Sequence, residues 1–278
     1  MKKEWFIQMK DLEFNVENGI AYIRLNRPDQ LNAFSKEMID IWLQSLYEIR
    51  DNPAIYVGVV TGNGRAFCAG GDVKSMINNN GFMAKAENDS TDFRSTPLAV
   101  KNSLWKNIQR IPLLMEEIDK PMIAMINGHA IGAGLDMALM CDIRIASEKA
   151  KLGETYINAG IVPGDGGGYY LPKIIGQDRA LEMFWTGKIL TAQEAHDWNL
   201  VTHIVPHEDL EGFTRNYCEK IAEKSQTIVQ MTKRVVIESQ SMTLKQSLDY
   251  VSSQMAISVF DEGHEKAINE LKKKFQKE

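Results

Sequence analysis

Two glycine-rich segments carry the strongest chemical signal in this sequence: TGNGRAFCAGGD at 61–72 and NGHAIGAG at 127–134. Neither is a nucleotide loop. No GxxxxGK occurs, and GNGRAF lacks the third glycine and the strand–helix context of a dinucleotide fingerprint. Glycine and alanine let a backbone approach a ligand closely, and helix starts leave N–H donors unpaired. Two such tips, if they converge, form an oxyanion hole for a thioester or ester oxygen that gains charge, where one donor is typically worth ~2.7–4 kcal/mol. The same glycines serve equally well in tight turns, and spacing alone leaves both readings open.

Other chemistries have little support. There is no G-x-S-x-G for a serine nucleophile, and Cys68, inside the first tip, reads as a small buried residue. His129 lies beside the second tip and is expected to pack or support it rather than act as a base. His196, His203, His207 and His264 fall late in the chain, and no metal site is expected. Cys68, Cys141 and Cys218 are odd in number and far apart, which fits neither a disulfide framework nor zinc-ligand spacing. A reducing, cytoplasmic setting is expected.

The elements that must position the tips follow from periodicity. Leu12, Phe14 and Val16 alternate, Asn18-Gly19 supplies a turn, and Ile20–Leu25 resumes a strand, so a hairpin opens the fold. Ser35 is a plausible N-cap for a helix carrying Met38, Ile41, Trp42, Leu46 and Ile49, ending near Asn52-Pro53. Ile55–Val60 reads as a strand before the first tip, and Pro121–Ile126 as a buried strand before the second. A helix through Asp136–Met140 and a strand at Ile143–Ala146 follow. Strand, glycine tip and helix thus occur twice, which favours an α/β architecture with parallel strands. The polar segment 78–97 is read as a loop or a lid that orders on ligand binding. From about Glu208 helical periodicity runs to the end, in helices expected to cap the core or a neighbouring subunit.

With 278 residues, 44% of them hydrophobic, the chain can build a sizeable core. A net charge of −5 gives no broad field for nucleic acid or an anionic membrane, so neither is expected as a partner. No apolar run approaches the ~18–20 residues of a spanning helix, and acidic residues interrupt the N-terminus where a secretion signal would be apolar.

The runs RPDQLNAF, AFCAGGDVKSM, KPMIAMINGHAIGAGLDMALMCDIRIASEKAKLG, GIVPGDGGG and TGKILTAQEAHDWNLVTHIV resemble, in order and spacing, the crotonase (enoyl-CoA hydratase/isomerase) superfamily. The resemblance extends from about Leu12 to the last helix, with 78–97 lacking a counterpart. It implies an α/β fold: a spiral of ββα turns over 1–207 and a helical C-terminal region over 208–278 that packs in a homotrimer or hexamer. It also implies an acyl-CoA thioester substrate, with coenzyme A as part of the substrate and no separate cofactor. The oxyanion hole falls on the N–H groups of Gly71 and Ala133, and further substrate contacts on Gly71, Asp72, Val73 and Lys74, largely through backbone.

Hydration of an enoyl thioester needs a carboxylate toward water and a second group that delivers a proton to the α-carbon. In family hydratases the first glutamate lies three residues after the oxyanion residue, which lands on Asp136, one methylene shorter. A shift of about 1 Å can cost roughly 100-fold unless compensated. A helix-start aspartate interacting with free N–H groups is the plain alternative. The second family glutamate falls on Tyr156. Glu154 is one candidate substitute, on the same side as Tyr156 if KLGETYI is extended. Asp165 is the other, one position beyond the aspartate that some isomerases and dehalogenases of the superfamily use, which would align with Gly164. The plain reading of either carboxylate, a solvated or helix-capping side chain, is the favoured one. Tyr156 could orient water or a substrate carbonyl, or simply pack. Lys74, Arg27 and Lys272–Lys274 could meet the CoA phosphates, although last-turn lysines also complement a helix dipole. The expected activity is hydration of a 2-enoyl-CoA to a 3-hydroxyacyl-CoA. The rivals are an enoyl-CoA isomerase working through one carboxylate, which the Tyr156 replacement favours, and a catalytically silent acyl-CoA-binding or scaffold subunit.

Overall fold

A computed structural model describes residues 6–8, 10–71 and 96–275. Asp72, Val73 and Lys74, and the loop expected over 78–97 except its last two residues, lie outside the described residues.

The chain begins with a short strand that periodicity did not reveal, β1 (Phe6–Gln8), antiparallel to β2 (Leu12–Glu17). The hairpin to β3 (Ile20–Leu25) turns at Asn18 and Gly19, both at positive φ. Helix α1 (Lys36–Asp51) starts where Ser35 accepts a hydrogen bond from the Met38 N–H at 3.0 Å. It ends at Asn52, and the Lys120 ammonium donates to the carbonyls of Ile49 and Asn52 at 2.6 and 2.7 Å. The next strand is β4 (Val57–Gly62), two residues later than the apolar run suggested, followed by β5 (Ala66–Cys68). After α2 (Pro97–Lys106) and α3 (Arg110–Met115) comes the second turn: β6 (Met122–Ile126), β7 (His129–Ile131) and α4 (Ala133–Leu139). The third is β8 (Ile143–Ser147), β9 (Lys151–Gly153), then α5 (Gly167–Ile175) and α6 (Gln177–Thr186). Strand β10 (Ile189–Thr191), α7 (Ala192–Asp197) and β11 (His203–Val205) complete the core. Four helices end the chain: α8 (Leu210–Ala222), α9 (Gln226–Ser239), α10 (Leu244–Ser258) and α11 (Glu262–Phe275).

This is the expected mixed α/β arrangement of ββα-like turns followed by C-terminal helices. The large sheet runs β1-β2-β3-β4-β6-β8-β11, parallel from β3 onward; the small one runs β10-β9-β7-β5, with β9, β7 and β5 parallel. Each turn lays one strand in each sheet. Both faces of the large sheet's parallel strands β4, β6 and β8 are buried, as parallel sheets require. Along β6, Met122, Ala124 and Ile126 enter the main core with Trp42 and Leu46 of α1, while Ile123 and Met125 face Leu210 and Cys218 of α8. That two-sided burial explains why these strands read as continuous apolar runs.

Candidate active site

Parallel pairing converts the two separate glycine segments into one site. In the small sheet Ala66 pairs with His129 and Cys68 with Ala130, so the tips after β5 and β7 emerge side by side from the same end. Strands β7 and β9 pair through Ile131 and Gly153, and the Gly132 N–H donates to the Gly153 carbonyl at 2.7 Å. Glu154 therefore emerges next to the second tip. Carboxyl ends of parallel strands are where α/β folds bind ligands.

The tips touch through atoms that only glycine permits. A Cβ on Gly70 would stand 3.1 Å from the Ala133 nitrogen, and one on Gly134 only 2.1 Å from the Cys68 carbonyl oxygen. Gly132 caps α4 at φ +53°, and Ala133 opens the helix, so its N–H has no intrahelical acceptor. Gly71 forms a bridge with Phe34 in which the Phe34 N–H donates to the Gly70 carbonyl at 2.8 Å, leaving that pairing to the carbonyl rather than to the Gly71 N–H. Asn32, missed by the sequence reading, shapes this tip. It is fully buried at φ +58°, its amide donating to the carbonyls of Asn63 (2.9 Å) and Ala66 (2.8 Å) while its oxygen accepts from the Arg27 N–H (2.8 Å). The one signal for it was its place in the RPDQLNAF block.

Beneath Ala133, one helical turn along, lies Asp136. It is fully buried, as is Glu154, and Asp165 is 5% exposed. The Tyr156 hydroxyl lies 2.5 Å from Oδ2 of Asp136 and 3.1 Å from Oδ2 of Asp165. Among the described residues Oδ1 of Asp165 has no hydrogen-bond partner, while the Asp136 carboxyl also meets Glu154 and the backbone N–H groups of Asp165 and Gly167. All three carboxyls are pushed upward, in each case first by burial. The Tyr156 hydroxyl and Glu154 moderate the rise at Asp136, the Asp136 charge adds to it at Glu154, and Asp165 reaches about 7. Burial and the neighbouring carboxyls raise the Tyr156 phenol as well, so it stays protonated. Gly167, at the start of α5, is the glycine that makes room: a Cβ there would stand 2.1 Å from Oδ1 of Asp136.

Several expectations change. The segment KLGETYI is extended only to Gly153; Thr155 turns at ψ 17° and Tyr156 opens a 3-10 turn over Tyr156–Ala159. Glu154 and Tyr156 nevertheless both reach Asp136, through the turn rather than strand alternation. Tyr156 neither merely packs nor offers a free hydroxyl, because two carboxyls occupy it. Asp136 does not cap its own helix, since its backbone N–H donates to the Gly132 carbonyl, but its carboxyl does meet N–H groups at the start of α5, those of Asp165 and Gly167, together with the Tyr156 hydroxyl. Asp165 is neither solvated nor a cap, despite its one-position offset. His129 is exposed on β7 and does not pack behind the tip. Arg27 is turned inward, donating to the Ala33 carbonyl at 2.6 Å and lying 3.6 Å from Asp11. Lys272–Lys274 form the exposed last turn of α11. Cys68 is buried, its thiol donating to the Asn32 carbonyl and accepting from the Gly70 N–H, and burial pushes it up to about 12, which removes it as a nucleophile. Among the described residues no His, Cys, Asp and Glu group is arranged to hold a metal ion, and no helix is long and apolar enough to cross a membrane.

The fold is a mixed α/β spiral of ββα turns with two glycine tips over a buried carboxyl cluster. The family model for enoyl-CoA hydratase/isomerase matches residues 15–277, and the chain belongs to that family. It is 34% identical over 252 residues to a probable mitochondrial enoyl-CoA hydratase of Dictyostelium discoideum, covering 90% of this chain and 83% of the relative. It is 35% identical over 241 residues to the (E)-benzylidenesuccinyl-CoA hydratase of Thauera aromatica, covering 84% and 85%. Among solved structures, an enoyl-CoA hydratase/isomerase from Cupriavidus metallidurans CH34 superposes with a TM-score of 0.86 at 28% identity, covering 97% of this chain and 96% of that one. The enoyl-CoA hydratase of Bacillus anthracis gives 0.84 at 29% identity, covering 95% and 96%.

Proposed function

We propose that this enzyme adds water to a 2-enoyl-CoA to give a 3-hydroxyacyl-CoA. The observation that carries the reading is the pair Asp136 and Asp165, two buried carboxyls on one phenol, below converging glycine tips. In this reading the Gly71 and Ala133 N–H groups hold the thioester oxygen as it gains enolate charge. Asp136, ionised, takes a proton from water as the water oxygen attacks the β-carbon. Asp165, which is protonated below about pH 7, gives a proton to the α-carbon. In this reading Asp165 takes the part that the second glutamate plays in the family, since Tyr156 occupies that position in the sequence. The substrate is an acyl-CoA thioester, in keeping with the hydratase relatives, and coenzyme A is held as part of it, with contacts at Gly71, Asp72, Val73 and Lys74. No further cofactor enters the reaction. The three free, buried cysteines suit a reducing cytoplasm. The apolar residues left exposed on the last helices support a homotrimer or hexamer.

The test is mass spectrometry of crotonoyl-CoA and of cinnamoyl-CoA incubated with the protein, with Asp136→Asn as control. A gain of one water that falls at least about 100-fold in the variant is expected. A shifted double bond without added water would establish the isomerase instead, and tight binding with no turnover the silent subunit.

A further inference from the structure

Tyr156 has one phenolic hydrogen and two carboxyl neighbours. Its hydroxyl lies 2.5 Å from Asp136 Oδ2 and 3.1 Å from Asp165 Oδ2. One O–H makes one strong hydrogen bond, and the shorter contact takes it. The other contact sets a phenol lone pair against a carboxyl oxygen, and is attractive only when Asp165 carries a proton and donates it to the phenol. Two ionised carboxylates this close and this buried are also mutually unfavourable. The groups facing Tyr156 are Asp136, Asp165 and Glu154, all acidic, so Coulomb repulsion favours a protonated member. With the proton on Asp165, the arrangement is a chain: the Asp165 O–H donates to the Tyr156 oxygen, and the Tyr156 O–H donates to the Asp136 carboxylate.

We propose that Tyr156 is a proton-transfer link that resets Asp136 and Asp165 after each turnover. This rests on the assignment of Asp136 as the group that deprotonates water and Asp165 as the group that protonates the α-carbon. After hydration Asp136 holds the proton from water, and Asp165 has lost its own to carbon. The Asp136 proton, once on Oδ2, passes to the phenol oxygen as the phenol passes its hydrogen to Asp165. One O–H bond breaks and one forms at each step, no electron is gained or lost, and the starting chain is restored. The net change is one water added across the double bond. Tyr156 acts through the two carboxyls and not on the substrate.

Tyr156→Phe keeps the ring and removes the link. Its kcat is expected to fall about 100-fold while KM stays within about 3-fold. Rates in mixed light and heavy water should curve with deuterium fraction in the wild type and become linear in the variant. A kcat within about 3-fold of wild type, or unchanged curvature, would overturn the link. An infrared pH titration decides the matter without turnover. The wild type should show a hydrogen-bonded acid carbonyl that disappears through about pH 7 and is absent in Asp165→Asn. That band should shift in Tyr156→Phe, and a band that does not move overturns the proposal. If the wild type hydrates no enoyl-CoA, the assigned reaction fails and the reset with it, while the infrared result still judges whether Asp165 donates to Tyr156. If the phenylalanine variant does not fold, 3-fluorotyrosine at 156 retains the O–H with a lower pKa and must move the same band; an unmoved band again overturns the proposal.

Discussion

Asp136, Glu154 and Asp165 have no cationic partner among the described residues; burial raises each of them first, and the Tyr156 hydroxyl opposes the rise at Asp136 and Asp165. That makes Asp165 a pH sensor in two measurements. As proton donor it must be protonated, so kcat/KM should fall as pH rises through about 7, and this alkaline limb should be absent from the residual activity of Asp165→Asn. For stability, the folded form binds the Asp165 proton more tightly than the unfolded chain, whose value is near the ordinary 3.8. The native state therefore holds the extra proton between about 4 and 7, and unfolding free energy falls across that window as pH rises. Urea midpoints at intervals from pH 4 to 8 should show this decline in the wild type and a shallower one in Asp165→Asn. Gly167→Ala probes the same cluster by volume. Its methyl would displace Oδ1 of Asp136, and a displacement of about 1 Å should lower turnover roughly 100-fold with KM little changed. An unaltered rate would remove Gly167 from the support of Asp136.

At the scale of elements, the site depends on three short parallel strands, β5, β7 and β9, delivering their ends to one place. The contact is backbone against backbone at Gly134 and Cys68. Gly134→Ala should force the tips apart, lowering stability by about 1–3 kcal/mol in urea unfolding together with a loss of turnover. Lys120 does different work, far along the chain. Its buried ammonium satisfies the last carbonyls of α1 without a carboxylate, and burial holds its pKa down. Lys120→Met should cost about 1–3 kcal/mol, from carbonyls left buried and unpaired, with turnover per folded molecule unchanged. Equal urea midpoints would remove that role.

For the whole molecule, the last helices leave apolar side chains in water: Leu244, Leu248, Met255, Ile257 and, 90% exposed, Phe260. A surface of that kind marks an interaction face. Sedimentation should give three or six times the 31.4 kDa monomer, and Phe260→Asp with Leu248→Asp should lower that mass. A monomeric wild type would leave the face for another partner.

Local rules determined much of this protein before any contact was known. The hairpin at Asn18-Gly19, the Ser35-capped helix and the C-terminal helices depend on neighbours within a few residues, and were legible for that reason. So were the glycine tips, because glycine is demanded by local backbone shape and close approach. Strand β1 was not, since three residues carry too little periodicity to mark a strand; nor was the turn at Thr155, where an apparent strand ends without a glycine or proline. Above all, sequence could list Asp136, Glu154, Tyr156 and Asp165 without saying which of them meet. Their meeting depends on the register of β7 against β9 and on the packing of α5 over α4, interactions between segments far apart in the chain. Burial decided their charge, since desolvation is a property of the assembled fold: it raises all three carboxyls and sets the Tyr156 hydroxyl between two of them.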